Sequence, residues 1–354
     1  MPDTRKHELW VDVAKALALV LVVIGHPVGD TVYAKYIYWF HMPAFFLLSG
    51  YLFRPLDSWA AFRVWLVKRC RELLVPYGAY LTVITLVRYY FVYRYLHIIE
   101  ASFLWKDLKE VLFGGRMIGG YYTVFWFFTC LFATQVLFAL IVLMFRNGRA
   151  VLAVVAIAYL VAHLEAWWIT AHAILVPWNL DVALIAVAYY AIGYYGKKTL
   201  GNITPAVTMA AVMVSALLIA GDHWRLINYG FNLKYVIYQH PLLDLAIPVV
   251  MTTALVGISQ LLARNRLGRA VTALGNVALP VVYLHVPVNS VLLYEYHFHY
   301  GNAAAVVIGL IVPLVISRLI LDRFFLTRLL FQGRVLRPAQ QSISLRDELP
   351  TLKA

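Results

Sequence analysis

The chain is 354 residues long, 63% hydrophobic and 13% charged, with a mean hydropathy of +0.76. That apolar share exceeds what a soluble domain carries and predicts an all-α polytopic membrane protein. The net charge of +13 would suit a nucleic-acid binder. However, the basic residues sit in short connections between apolar runs, where membrane topology accounts for them, so no nucleic-acid partner is expected.

In chain order, the first run begins near Leu9 behind Arg5 and Lys6. No small-residue cleavage site follows and a second run comes at once, so it reads as a retained helix rather than a signal peptide. Apolar runs predict helices near 9–28, 37–53, 73–96, 121–145, 150–169, 180–196, 203–221, 241–262, 270–294 and 302–322. That is a bundle of about ten transmembrane helices. Residues 102–113, SFLWKDLKEVLF, alternate apolar and charged faces and suit a helix lying in the membrane interface. The chain turns polar after Arg323, so 326–354 is expected to be a disordered cytoplasmic tail behind a transmembrane domain at 1–325. Cys70 and Cys130 offer neither a disulfide framework nor metal-ligand spacing.

Lys and Arg set the orientation. With the N-terminus in the cytoplasm, 22 of the 30 basic residues fall on that side, the loops at 54–71 and 264–269 and the tail among them. Five of the other eight lie between Arg88 and Arg116. The asymmetry predicts both termini cytoplasmic.

Two of these runs carry ionisable groups where lipid tolerates few. Lys15 and His26 are separated by ten residues without a charge, about 16 Å along a helix. His41 opens the second run and Ser49-Gly50 lie near its end. Buried ionisable groups in a membrane face a cavity or a partner. Lys15 lies toward the cytoplasmic end, and Lys68, Arg69 and Arg71 gather there too. An anionic cytosolic ligand can rest its phosphates at this basic mouth while a slender arm extends up the bundle toward His26. Coenzyme A has that shape. The competing readings are satisfied core histidines at a bundle interface, a topogenic basic cluster at 68–71, and a Lys15–Asp12 pair on one helix face.

The pattern of Lys15, ten residues, then His26 resembles the membrane-bound acyltransferase-3 family. FHMPAFFLLSGYLF (40–53), KRCRELLVPY (68–77), YYTVFWFFTCLF (121–132, centred on Trp126) and LGNVALPVVYLHVPV (274–288, ending near His285) resemble its further motifs, in the same order. The resemblance implies ten core helices in the bacterial inner membrane. It also implies transfer of an acyl group, usually acetyl, from a coenzyme A thioester to a carbohydrate hydroxyl. Trp126 is then expected beside the donor. The stand-alone chain is most similar to the short branch acting on exopolysaccharides, O-antigens and fucose-type sugars, with a glycan or lipid-linked oligosaccharide as acceptor. Lys15 stands where many relatives carry Arg, which keeps the charge and loses the bidentate fork.

His26 is the candidate base that deprotonates the attacking sugar hydroxyl. A covalent acyl-imidazole route stays open beside direct transfer. His41, at the same level, is a second catalytic candidate that orients the acceptor. His285 and Asn289, one turn apart, and Ser49, as an oxyanion contact, are candidate substrate contacts. Each also reads as packing within the bundle. His240–Asp244 is a similar i, i+4 pair. Glu165, His163 and His172, with Trp167, Trp168 and Trp178, read either as a sugar platform or as an interfacial tryptophan belt. The loop cluster Glu295, His297 and His299 has weak ligand spacing, and no metal is assigned.

A proton-coupled secondary transporter is the alternative from another class. Transporters build their sites from matching halves, whereas here the polar groups crowd into the first fifth of the chain.

Overall fold

The computed structural model describes residues 8–29, 31–97, 101–275 and 277–333. These are helical almost throughout, and their only β pairing is an isolated bridge between Asn232 and Ile237. The helices are α1 Leu9–Gly25, α2 Val32–Tyr38, α3 His41–Leu52, α4 Trp59–Arg69, α5 Val75–Leu96, α6 Ala101–Phe113, α7 Phe125–Met144 and α8 Gly148–His172. They continue with α9 Val182–Tyr195, α10 Lys197–Leu200, α11 Pro205–His223, α12 Pro241–Ala263, α13 Arg266–Gly275, α14 Ala278–Ser290, α15 Asn302–Ile316 and α16 Phe325–Gln332.

Six helical stretches among the described residues are long and apolar enough to cross a membrane. They are 59–95, 120–144, 148–172, 205–223, 241–263 and 302–321. The other four predicted runs are helical but shorter: α1 has 17 residues, α3 has 12, α9 has 14 and α14 has 13. A crossing needs about 20 residues. Prolines and turns cut these runs. Pro27, which cannot donate to the ladder, follows α1. The second run breaks at Trp39–Phe40, and Pro43 in the first turn of α3 makes His41 its first residue. The short helices form the inside of the bundle, with eight of 12 residues buried in α3 and ten of 14 in α9. By contrast, α8 buries one stripe, Val151, Val155, Tyr159, Ala162, Ala166 and Ile169, at steps of three and four.

The tightest inner contact is α3 on α9. A Cβ on Gly50 would lie 1.9 Å from the Tyr190 carbonyl oxygen, and one on Gly193 would lie 1.9 Å from that of Leu47. The two backbones therefore touch where only hydrogen fits.

The stretch expected as a basic loop at 54–71 is mostly helix. α4 runs through a π-turn, Cys70–Leu74, into α5. Pro76 in the first turn of α5 lacks the N–H that an α-helical ladder would use, and the helix widens just before it. α6 coincides with the amphipathic segment. α16 occupies the start of the stretch assigned to the tail; 334–354 lie outside the described residues, as do Arg5 and Lys6.

Candidate active site

Lys15 on α1 and His26 just past its end line two neighbouring cavities. At the Lys15 end is a vestibule of ≈ 1380 Å³, walled by Lys15, Ser49, Lys68, Arg69, Arg71, Arg318 and Arg328 among others, with Glu72 and Asp322 as its acids. At the His26 end is a chamber of ≈ 300 Å³ walled by His26, Tyr38, His41, Thr123, Trp126, Asn232, Lys234 and Tyr235, with no carboxylate among its described lining residues. Phe45, Phe127 and Val282 belong to both walls, so these three side chains form the shared wall, or waist, between vestibule and chamber.

His41 is buried, and its Nδ1 lies 2.8 Å from the Ile37 carbonyl oxygen. A carbonyl only accepts, so Nδ1 carries the proton and Nε2 of the neutral ring keeps its lone pair. Tyr38 packs on His41 with ring centroids 5.5 Å apart and donates its hydroxyl to Gly25 O at 2.8 Å, tying α2 to the end of α1 beside His26. The sequence placed the two histidines at one level, and they share this chamber.

His285 stands behind His26. The ring centroids are 4.9 Å apart, and His285 gives its Nδ1–H to Val281 O at 2.9 Å. Its Nε2 is buried with no hydrogen-bond partner. His285 is not among the chamber's lining residues, and it meets His26. Asn289 bonds within the bundle. Its Nδ2 donates to His285 O at 2.8 Å and Ala305 O at 3.1 Å, and its Oδ1 accepts from the Tyr300 hydroxyl at 2.8 Å. It fastens α14 to α15 and lines neither cavity. Ser49 lines the vestibule and is not among the chamber's lining residues. Trp126, expected beside the donor, lines the chamber.

The basic residues of the vestibule divide by their partners. Lys15 lies 3.5 Å from Asp12, so its pairing and its cavity position coexist. Glu72 takes Arg69 at 2.8 Å and Lys68 at 3.7 Å. Among the described residues no carboxylate pairs with Arg71, and the Nε atoms of Arg69, Arg71 and Arg328 are buried without partners. Buried polar groups are normally satisfied, and the three Nε atoms without partners belong to side chains that line one cavity, a setting suited to an anion.

Lys234 was counted from sequence only as an outer-side charge. It lies in the connection between α11 and α12, is buried, and donates to Ile118 O at 3.1 Å, Thr123 O at 3.2 Å and Thr123 Oγ1 at 2.8 Å. All three partners are neutral, and burial pulls the ammonium down to about 8. Its sequence signal was one lysine inside the apolar run FNLKYVIY.

Of the polar groups of α8 and of the start of α12, His163, His172 and Asp244 have structural partners. Asp244 accepts from His163 Nε2 at 3.2 Å and from the His240 backbone N–H at 2.7 Å. Trp167 and Trp168 are exposed, and Trp168 stacks on His172 at 4.0 Å.

A family model described as "Acyltransferase domain" matches residues 8–322. No curated protein and no solved structure matches the chain.

Proposed function

The chain belongs to this acyltransferase-3 family, and on that premise we propose an integral-membrane O-acyltransferase of the bacterial inner membrane, with both termini cytoplasmic. It moves an acetyl group from acetyl-coenzyme A to a hydroxyl of a cell-surface or exopolysaccharide sugar, or of its lipid-linked precursor. The observation carrying this reading is that His26 and His41 share a small chamber that adjoins a cation-rich vestibule across the shared wall of Phe45, Phe127 and Val282. The nucleotide end of the donor lies in the vestibule among Lys15, Lys68, Arg69 and Arg71. The pantetheine arm passes Phe45, Phe127 and Val282 and brings the thioester to the chamber. The sugar enters from the other side, against Trp126 and Tyr235.

His26 takes the proton from the sugar hydroxyl as its oxygen attacks the thioester carbonyl carbon. The tetrahedral oxyanion collapses, the C–S bond breaks, and the thiolate leaves with the proton that His26 returns. His285 offers an acceptor for a proton on the nearer His26 nitrogen, leaving the other nitrogen as the base. His41 accepts from a sugar hydroxyl through Nε2. Lys234 supplies the positive field in which the oxyanion forms. The transporter alternative gains no support from the family match.

The test is release of coenzyme A from acetyl-coenzyme A by the purified full-length protein in bilayer discs, with exopolysaccharide oligosaccharides as acceptors. Acceptor-dependent release with acetyl appearing on the sugar is expected. Tight donor binding without acetyl on any sugar would contradict it.

A further inference from the structure

Residue 322 ends the family match, yet the vestibule wall continues past it. Arg328 and Gln332 of α16, together with Gly333, line the cavity beside Arg71 and Glu72. From this we infer that α16 is a working part of the donor site, and that Arg328 with Arg71 holds a phosphate of coenzyme A. The inference rests on the reading of the vestibule as the donor site.

The helix is fixed against the π-turn by contacts that leave Arg328 open. Gly333 ends α16 at φ 61, the left-handed region open to glycine. A Cβ there would lie 2.7 Å from Glu72 Cα and 3.0 Å from Arg71 O, so the chain crosses directly over the turn that carries Arg71. Gln332 Nε2 donates to Asp322 Oδ1 at 2.6 Å, and the Thr327 hydroxyl donates to Leu321 O at 2.9 Å. Phe331 sets its ring 5.0 Å from that of Tyr80 on α5. Arg328 itself has a buried Nε with no partner, the same condition as Arg71 of the same cavity wall. Asp322, the nearest acid of the wall in sequence, is taken by Gln332 and by Arg318 at 3.6 Å. Two guanidinium groups from different segments thus line one cavity, neither pairing with a carboxylate among the described residues, and a phosphate with its several anionic oxygens can accept from both.

The test is titration calorimetry of coenzyme A, 3′-dephospho-coenzyme A and S-acetylpantetheine into the full-length protein in detergent. Parent, R328Q, R328K and R71Q are compared, with thermal unfolding as the check on folding. R328Q is expected to weaken coenzyme A by about 10- to 100-fold, the range for one charge-assisted contact. S-acetylpantetheine, which has no phosphate, should bind the parent and R328Q alike. R328K, which keeps the charge and loses the fork, should fall between; it decides the matter if R328Q does not fold. Parent-like affinity in the folded arginine variant overturns the role of α16 and leaves the donor reading standing. A parent that binds no coenzyme A overturns both.

Discussion

His26 and His285 meet ring to ring, with centroids 4.9 Å apart, on helices far apart in the chain. His285 has its Nδ1–H committed to Val281 O, and its Nε2 has no hydrogen-bond partner. A buried nitrogen left open beside a second imidazole is costly unless that neighbour uses it. The pair reads as a base and the group that fixes its orientation.

Replacing His285 should therefore act on the rate and spare donor binding. H285A is expected to lower kcat by about 10²-fold, the penalty for a misplaced catalytic group, with the donor KM unchanged. H285Q, which keeps an acceptor, should recover part of the loss. A raised KM at full kcat would return His285 to a substrate-binding role.

The waist makes a second expectation. Val282 lines both cavities, so V282W should leave coenzyme A bound in the vestibule and stop the thioester from reaching His26. Calorimetry is expected to give the parent Kd, while coenzyme A release falls to background. Unimpaired release would mean that the donor arm takes another route.

Lys234 predicts a pH limb. A lysine is charged below its pKa, and here that value is drawn down to about 8, so raising the pH through 8 removes the cation from the chamber. Turnover at saturating donor should decline there. K234R remains charged across the range and should carry activity past pH 9, as K234M should be slow throughout. An alkaline limb that stays at the same pH in K234R belongs to another group.

Much of this arrangement can be read from the residues. The uncharged interval between Lys15 and His26 places Lys15 in the first half of α1 and His26 just past its last residue, one at each cavity, and the amphipathic pattern at 102–113 falls on α6. Hydropathy cannot see the break at Trp39–Phe40, because both sides of it are apolar; only the phenylalanine backbone at φ −142 shows the turn. Asn289 was correctly placed one turn from His285, but its use depends on Ala305 and Tyr300, which only packing brings near. Lys234 and Arg328 were invisible for a similar reason. One lies in a connection folded back onto the chamber and the other on a short amphipathic helix, FLTRLLFQ, and neither has a local pattern that announces a cavity.

The central claim is that His26 removes the proton from the acceptor. Its most direct measurement is turnover of acetyl-coenzyme A by H26A and H26Q in the full-length protein, with coenzyme A affinity determined on the same samples. A fall of about 10²- to 10⁴-fold in kcat, the usual contribution of a general base, with donor affinity held within about twofold, is the predicted result. Turnover within about twofold of the parent in either variant would contradict it.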